Sequence, residues 1–192
     1  SQTEFQQKAK TMKMKSNMQH NFSEVPKVNI PRSVFNRNHT YKTMFDVNKI
    51  IPFWVEEVLP GDTHTINGTY FTRLTSPLSV PIMDNMYMDT FWFFVPSRLV
   101  MDNFKKLMGE QTDPGDSIDY TIPVVTAPAG GHAEETLADY FGIPTGVVEH
   151  VNALPFRAYN LIWNTWFRDQ NLQDSITVNR DAGPDADTDY AV

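Results

Sequence analysis

The chain contains no cysteine. That absence excludes a disulfide scaffold, a thiolate metal site and a cysteine nucleophile together, and it suits assembly in a reducing cytoplasm. No apolar run approaches the ~18 residues that a bilayer span requires, so no membrane partner is expected. The first residues, SQTEFQQKAK, lack the apolar centre of a signal peptide. Five histidines (His20, His39, His64, His132 and His150) are scattered, without His-x-His or the other close spacings that make a metal site from one element. A G-x-S-x-G elbow, a glycine-rich phosphate loop and a dinucleotide fingerprint are also missing. Glu56 and Glu57 are adjacent, but neighbouring side chains on a strand point to opposite faces and do not share a substrate. Asp181, Asp185, Asp187 and Asp189 lack the glycine and closing glutamate of a calcium loop and read as a solvated acidic loop. The expectation is a protein that is not an enzyme and carries no cofactor and no metal.

What is present is first a charge asymmetry. The net charge is −7, yet residues 1–49 hold nine Lys/Arg against three Asp/Glu, while residues 50–192 hold seven against twenty. A basic arm on an acidic body suits a protein that meets nucleic acid with one end only. Lys8, Lys10, Lys13 and Lys15 alternate with Met12, Met14 and Met18, and Arg32 and Arg37 follow around Pro31. These six cations are the candidate nucleic-acid contacts. Residues 1–49 thus read as an extended basic arm, and 50–192 as the body.

The body is organised around residues 50–110. Ile50–Leu59 is a dense apolar strand closed by Pro60-Gly61. Thr63–Leu74 alternates with period two, placing Ile66, Tyr70 and Leu74 on one face. Met86–Val95 carries FWFFV, apolar on both faces, so cover is required on each side. Pro96 ends that run and Ser97 opens a helix near 97–109 with the stripe Val100, Phe104, Leu107 and Met108, stopped by Gly109. Tyr120–Val125 is a short strand that Pro123 confines to an edge or a loop, and Glu134–Phe141 offers two turns of helix before Gly142. A second helix, near 153–170, is capped by Asn152, admits Pro155 in its first turn, and sets Phe156, Tyr159, Trp163, Trp166 and Phe167 on one wide core face. Residues 174–192 turn polar and acidic and read as an exposed loop or frayed end. Strands joined by Pro/Gly turns, with helices as insertions, predict a mainly β protein, a β-sandwich.

Four blocks carry a specific likeness: VNIPRSVFNR (28–37), IIPFWVEEVLPGD (50–62), FFVPSRLVMDNFKKLMGE (93–110) and LPFRAYNLIWNTWFRDQN (154–171). In this order and spacing they resemble the major capsid protein of microviruses, small icosahedral single-stranded DNA phages, and in particular the gokushovirus branch. The resemblance implies a viral single jelly roll with helical and loop insertions, incomplete in this chain, which looks like the N-terminal portion of a longer subunit. It implies a T=1 shell around a circular single-stranded DNA genome, located in the virion and assembled in the host bacterial cytoplasm. Implied partners are further copies of the chain, the remainder of the same subunit, the viral DNA, an internal scaffolding protein and a small basic DNA-binding protein. In a jelly roll the first three strands pair with later ones, so the three strands here are expected to lack ladder partners. The other reading of such a sandwich is a jelly-roll carbohydrate-binding module.

Overall fold

The computed structural model describes Asn29 and residues 31–190, which fall into two units divided at Thr40/Tyr41. In the first unit the described residues run without helix or strand, and from Pro31 to Thr40 they are exposed.

The second unit is built on a small mixed sheet. Its strands are β1 (Val124–Thr126), β2 (Val151–Asn152) and β3 (Asp185–Ala186), in the order β2-β1-β3. β1 pairs antiparallel with β2, Val125 facing Val151, and parallel with β3, Val125 facing Asp185. Strand formation therefore starts just after Pro123, whose missing N–H is outside the ladder, while its carbonyl accepts Ala153 N at 2.9 Å. The edge position expected for this strand gives way to a central one. Short helices α1 (Phe104–Leu107) and α2 (Leu137–Tyr140) and the longer α3 (Leu154–Ile162) complete the unit. Val125, Leu137, Ala138, Ala153, Phe156 and Tyr159 form its core, with Ile50, Val151 and Tyr190 packed against them.

The N-cap residue of α3 is Ala153, one position after the asparagine expected there, which still serves the helix start. The Asn152 side chain accepts Leu154 N at 2.9 Å, and Pro155 occupies the first turn, where its missing donor has no partner to lose. Phe156 and Tyr159 are buried, but the helix then widens into a π-turn at Trp163–Phe167, with Arg168 N bonded to Trp163 O. The extra residue per turn rotates the later aromatics away from the core. Trp166 is 70 % exposed, so the single wide core face expected over Phe156–Phe167 is two faces with different neighbours.

Around 97–109 the expected continuous helix is broken. A 3-10 turn covers Ser97–Leu99, and α1 resumes only at Phe104. The reason lies in competing partners. Val100 O accepts Arg157 Nη1 at 3.1 Å, and Asp102 N donates to Arg180 O at 2.9 Å, which draws both groups out of a helical ladder. Gly109, at φ +95°, stops α1 as anticipated.

The three long strands of the sequence reading form no sheet among the described residues. From Thr63 to Val95 no backbone-to-backbone hydrogen bond is made there either. The observed β content is accordingly small, and the sandwich is not assembled in this unit.

One backbone position has no tolerance. Gly131 has φ +80°, and a Cβ there would stand 2.4 Å from Val147 N. Gly131→Ala is expected to destabilise the unit by more than about 1 kcal/mol, read as a lowered Tm of the full-length protein.

Candidate assembly surface

Of the six candidate nucleic-acid contacts, Lys8, Lys10, Lys13 and Lys15 lie outside the described residues. Arg32 and Arg37 lie on the exposed part of the arm. Their role stays with the charge pattern of the sequence.

The extended segments are brought together through rings. Phe53 meets Tyr70 and Trp92 edge-on, each with centroids 5.5 Å apart, and Trp54 meets Trp92 at 5.4 Å. A second group joins FWFFV to the π-turn: Phe91 and Phe93 lie 5.3 Å and 6.0 Å from Phe167, and Phe93 lies 5.9 Å from Trp166. Aromatic pairs of this geometry add about 0.5–1.5 kcal/mol each beyond their area. Cover is still incomplete. Phe94 is 75 % exposed, and Tyr87, Phe71 and Phe91 also face solvent. Contiguous exposed apolar surface with unpaired strand backbone is the chemistry of an association surface.

Holding this surface in place is a polar hub that the sequence reading missed. Arg157 on α3 is fully buried, and Asp185 on β3 is 2 % exposed. Their contact is bidentate, Nε to Oδ2 at 2.6 Å and Nη2 to Oδ1 at 2.7 Å. Arg157 also donates to the carbonyls of Val100, Asp181 and Gly183. Asp185 further accepts from Asn179 Nδ2 at 3.1 Å and from the Tyr190 hydroxyl. Residues 174–190 are thus a strap laid back over α3 and not the frayed end expected; of the four acids read as solvated, Asp185 and Asp187 are engaged while Asp181 and Asp189 stay exposed. Asn164 clasps Ile176 in both directions, at 2.6 Å and 2.9 Å, and Asn160 donates to Asp189 O. His132, itself buried, meets Asp187 through Nδ1 at 2.8 Å. The signal in the sequence was an arginine inside an apolar helical stripe, followed by spaced aspartates able to neutralise it.

The hub sets a pH dependence. Burial alone would raise the Asp185 carboxyl, but hydrogen bonds from Arg157, Tyr190 and Asn179 outweigh it and hold the group below the usual carboxylate range. Burial, reinforced by the Asp185 carboxylate, pushes the Tyr190 phenol up, and burial pushes Tyr159 up to about 12, so both stay protonated donors at neutral pH. A depressed folded pKa gives stability that is present above the unfolded carboxylate value, about 3.9, and lost as pH falls through the folded one. Amide protection in residues 179–190, taken relative to the intrinsic exchange rate at each pH, is expected to stay level from pH 8 to 5 and to fall only below about pH 4. Loss of protection already between pH 7 and 5 would contradict control by Asp185.

Among the described residues no group of three or more His, Asp or Glu is arranged to hold a metal. A cavity of about 220 Å³ is lined in part by Lys49, Glu135, Phe156, Asp187 and Tyr190. Of these, Asp187 and Tyr190 are already engaged, by His132 and Asp185.

Comparison with known proteins agrees with an association role. A sequence profile of the family described as capsid protein (F protein) matches residues 23–192. The chain is 50 % identical over 173 residues, 90 % of its length, to "Capsid protein VP1" of Bdellovibrio phage phiMH2K, and 47 % identical over 187 residues to "Capsid protein VP1" of Chlamydia phage 1. A third relative of the same name, from Spiroplasma virus 4, is 39 % identical over 165 residues. The matches cover 32 %, 31 % and 30 % of those proteins, so the chain spans about a third of the length of the curated relatives it matches.

Proposed function

From the premise that the chain belongs to the capsid (F protein) family, whose members are structural and not enzymatic, we propose that it supplies part of a single jelly-roll subunit of a T=1 icosahedral shell, and that this shell encloses a circular single-stranded DNA genome. The observation that carries the reading is the ring-clustered run from Ile50 to Val95, exposed over most of its length beyond Trp54, which makes almost no ladder of its own. Such segments are stable only when further strands pair with them and cover both faces. The remainder of the subunit provides the ladder partners, and sister copies close the shell. Modest contacts repeated around a closed particle then give cooperative assembly.

The basic arm, residues 1–49, faces the genome in this reading. Lys8, Lys10, Lys13, Lys15, Arg32 and Arg37 neutralise phosphates and release counterions, a salt-sensitive attraction without sequence preference. An internal scaffolding protein during assembly and a small basic DNA-binding protein in the particle are the further partners, and the virion, assembled in the bacterial cytoplasm, is the location.

The test is the full-length protein viewed by negative-stain microscopy after size exclusion. Closed shells of one size are expected, and a stable monomer with no particles would overturn the reading. Replacing the four early lysines with glutamine is expected to flatten the salt dependence of DNA retention by about three in log–log slope, at roughly 0.7 per phosphate contact on a single strand. An unchanged slope removes those lysines from the DNA.

A further inference from the structure

The connection between the second and third extended segments, together with the first residues of the third, is apolar where a loop is ordinarily polar. Leu78, Val80, Ile82, Met83, Met86 and Tyr87 are all exposed, Met83 to 92 %. We propose that residues 75–88 are a contact between subunits, and that their occupant is a second copy of this chain. The inference rests on the shell reading above.

Three observations favour that occupant. Pro77 and Pro81 lack the N–H that a ladder needs, so the segment does not become an inner strand of its own subunit's sheet, unlike FWFFV. No Lys, Arg or His occurs between Arg73 and Arg98, while Asp84 and Asp89 are present, so the surface repels a nucleic-acid backbone. Its exposed apolar side chains are aliphatic, methionine and tyrosine around a single acid, Asp84, and methionine and tyrosine are enriched at the centres of protein–protein interfaces. Methionine adapts to irregular partner surfaces. In a shell-forming family the protein surface present at highest local concentration is another copy.

Methionine also supplies the readout. Full-length protein assembled alone into closed particles, and the same protein dissociated into subunits, are exposed to dilute peroxide, and oxidation of Met83 and Met86 is followed by mass spectrometry. Oxidation in particles is expected to be at least tenfold slower than in subunits. Equal protection in dissociated subunits would assign the cover to the same chain and overturn the proposal, as would equal rapid oxidation in both states. Independently, Met83→Asp is expected to leave the Tm of the dissociated subunit unchanged while particle yield falls at least tenfold; wild-type yield would overturn it. Absence of wild-type particles sinks the shell reading itself, whereas particles with an oxidisable Met83 sink only this contact.

Discussion

Asp185→Ala in the full-length protein is expected to cost about 3–5 kcal/mol of stability, the range for removing one partner of a buried ion pair. The reason is what remains. Arg157 is 0 % exposed, and all five of its N–H groups are in use: two on Asp185 and one each on the carbonyls of Val100, Asp181 and Gly183. Without the carboxylate a cation stays buried against carbonyl dipoles and the exposed Asp181 carboxylate at 3.7 Å, two of its donors unmet. The change also frees the Tyr190 hydroxyl and Asn179, so β3 loses its anchor to α3. Arg157→Lys is not a mild substitution here, because three donors on a flexible stem cannot replace a planar fork that serves five acceptors. The measurement is thermal unfolding of the full-length protein in a double-mutant cycle with Arg157→Met and Asp185→Leu. The double variant is expected to recover much of the single-variant loss, since it leaves no unpaired charge. Additive single and double effects would show that the two residues are not coupled.

What such a hub does for function is positional. α3 runs directly into the π-turn that carries Trp166 and Phe167, and those rings contact Phe91 and Phe93. A shift of α3 against the strap therefore moves the aromatic surface, and in the proposed shell contacts repeated many times would amplify small misplacements. Asp185 variants that still fold are expected to assemble less sharply than their residual stability alone predicts.

Much of this was legible in the sequence wherever local chemistry decides structure. The start of α3 is a local matter of an asparagine, a first-turn proline and the apolar spacing that follows, and Gly109 and Gly142 stop their helices through backbone freedom alone. The empty inventory of catalytic motifs was also readable, and the capsid relatives agree with it. What was not legible was tertiary competition. Val100 and Asp102 have helical neighbours, but their backbone groups are taken by Arg157 and Arg180, which are distant in sequence. Likewise Asp185 and Asp187 look like solvated acids until Arg157 and His132 are placed beside them. The π-turn at Trp163 has no periodic signature, because one extra residue per turn is invisible to a stripe that continues past it.

The second large effect concerns the chain of 192 residues expressed alone, which is expected to associate through its extended segments and to show no cooperative unfolding transition as a monomer. The core around Val125, Phe156 and Tyr159 is small, and it draws only Ile50 from the 50–95 run. The rest of that run exposes Phe71, Met83, Tyr87, Phe91 and Phe94, with no backbone ladder from Thr63 to Val95 among the described residues. Each large side chain left in water forgoes roughly 1.5–3 kcal/mol of burial, a sum comparable with the whole stability of a domain, about 5–15 kcal/mol. Unpaired edges and a β-prone FWFFV segment then find one another between molecules. Phe94→Lys is expected to act in opposite directions in the two settings. It should raise the soluble yield of the 192-residue chain, by placing a charge on the associating strand, and lower particle yield from the full-length protein, where that ring is to be covered. Light scattering of the short chain and particle counts for the long one read both arms. A sharp thermal transition from a monodisperse 192-residue monomer would remove the requirement for outside cover, and an assembly-neutral Phe94→Lys would show that this ring stays exposed in the shell.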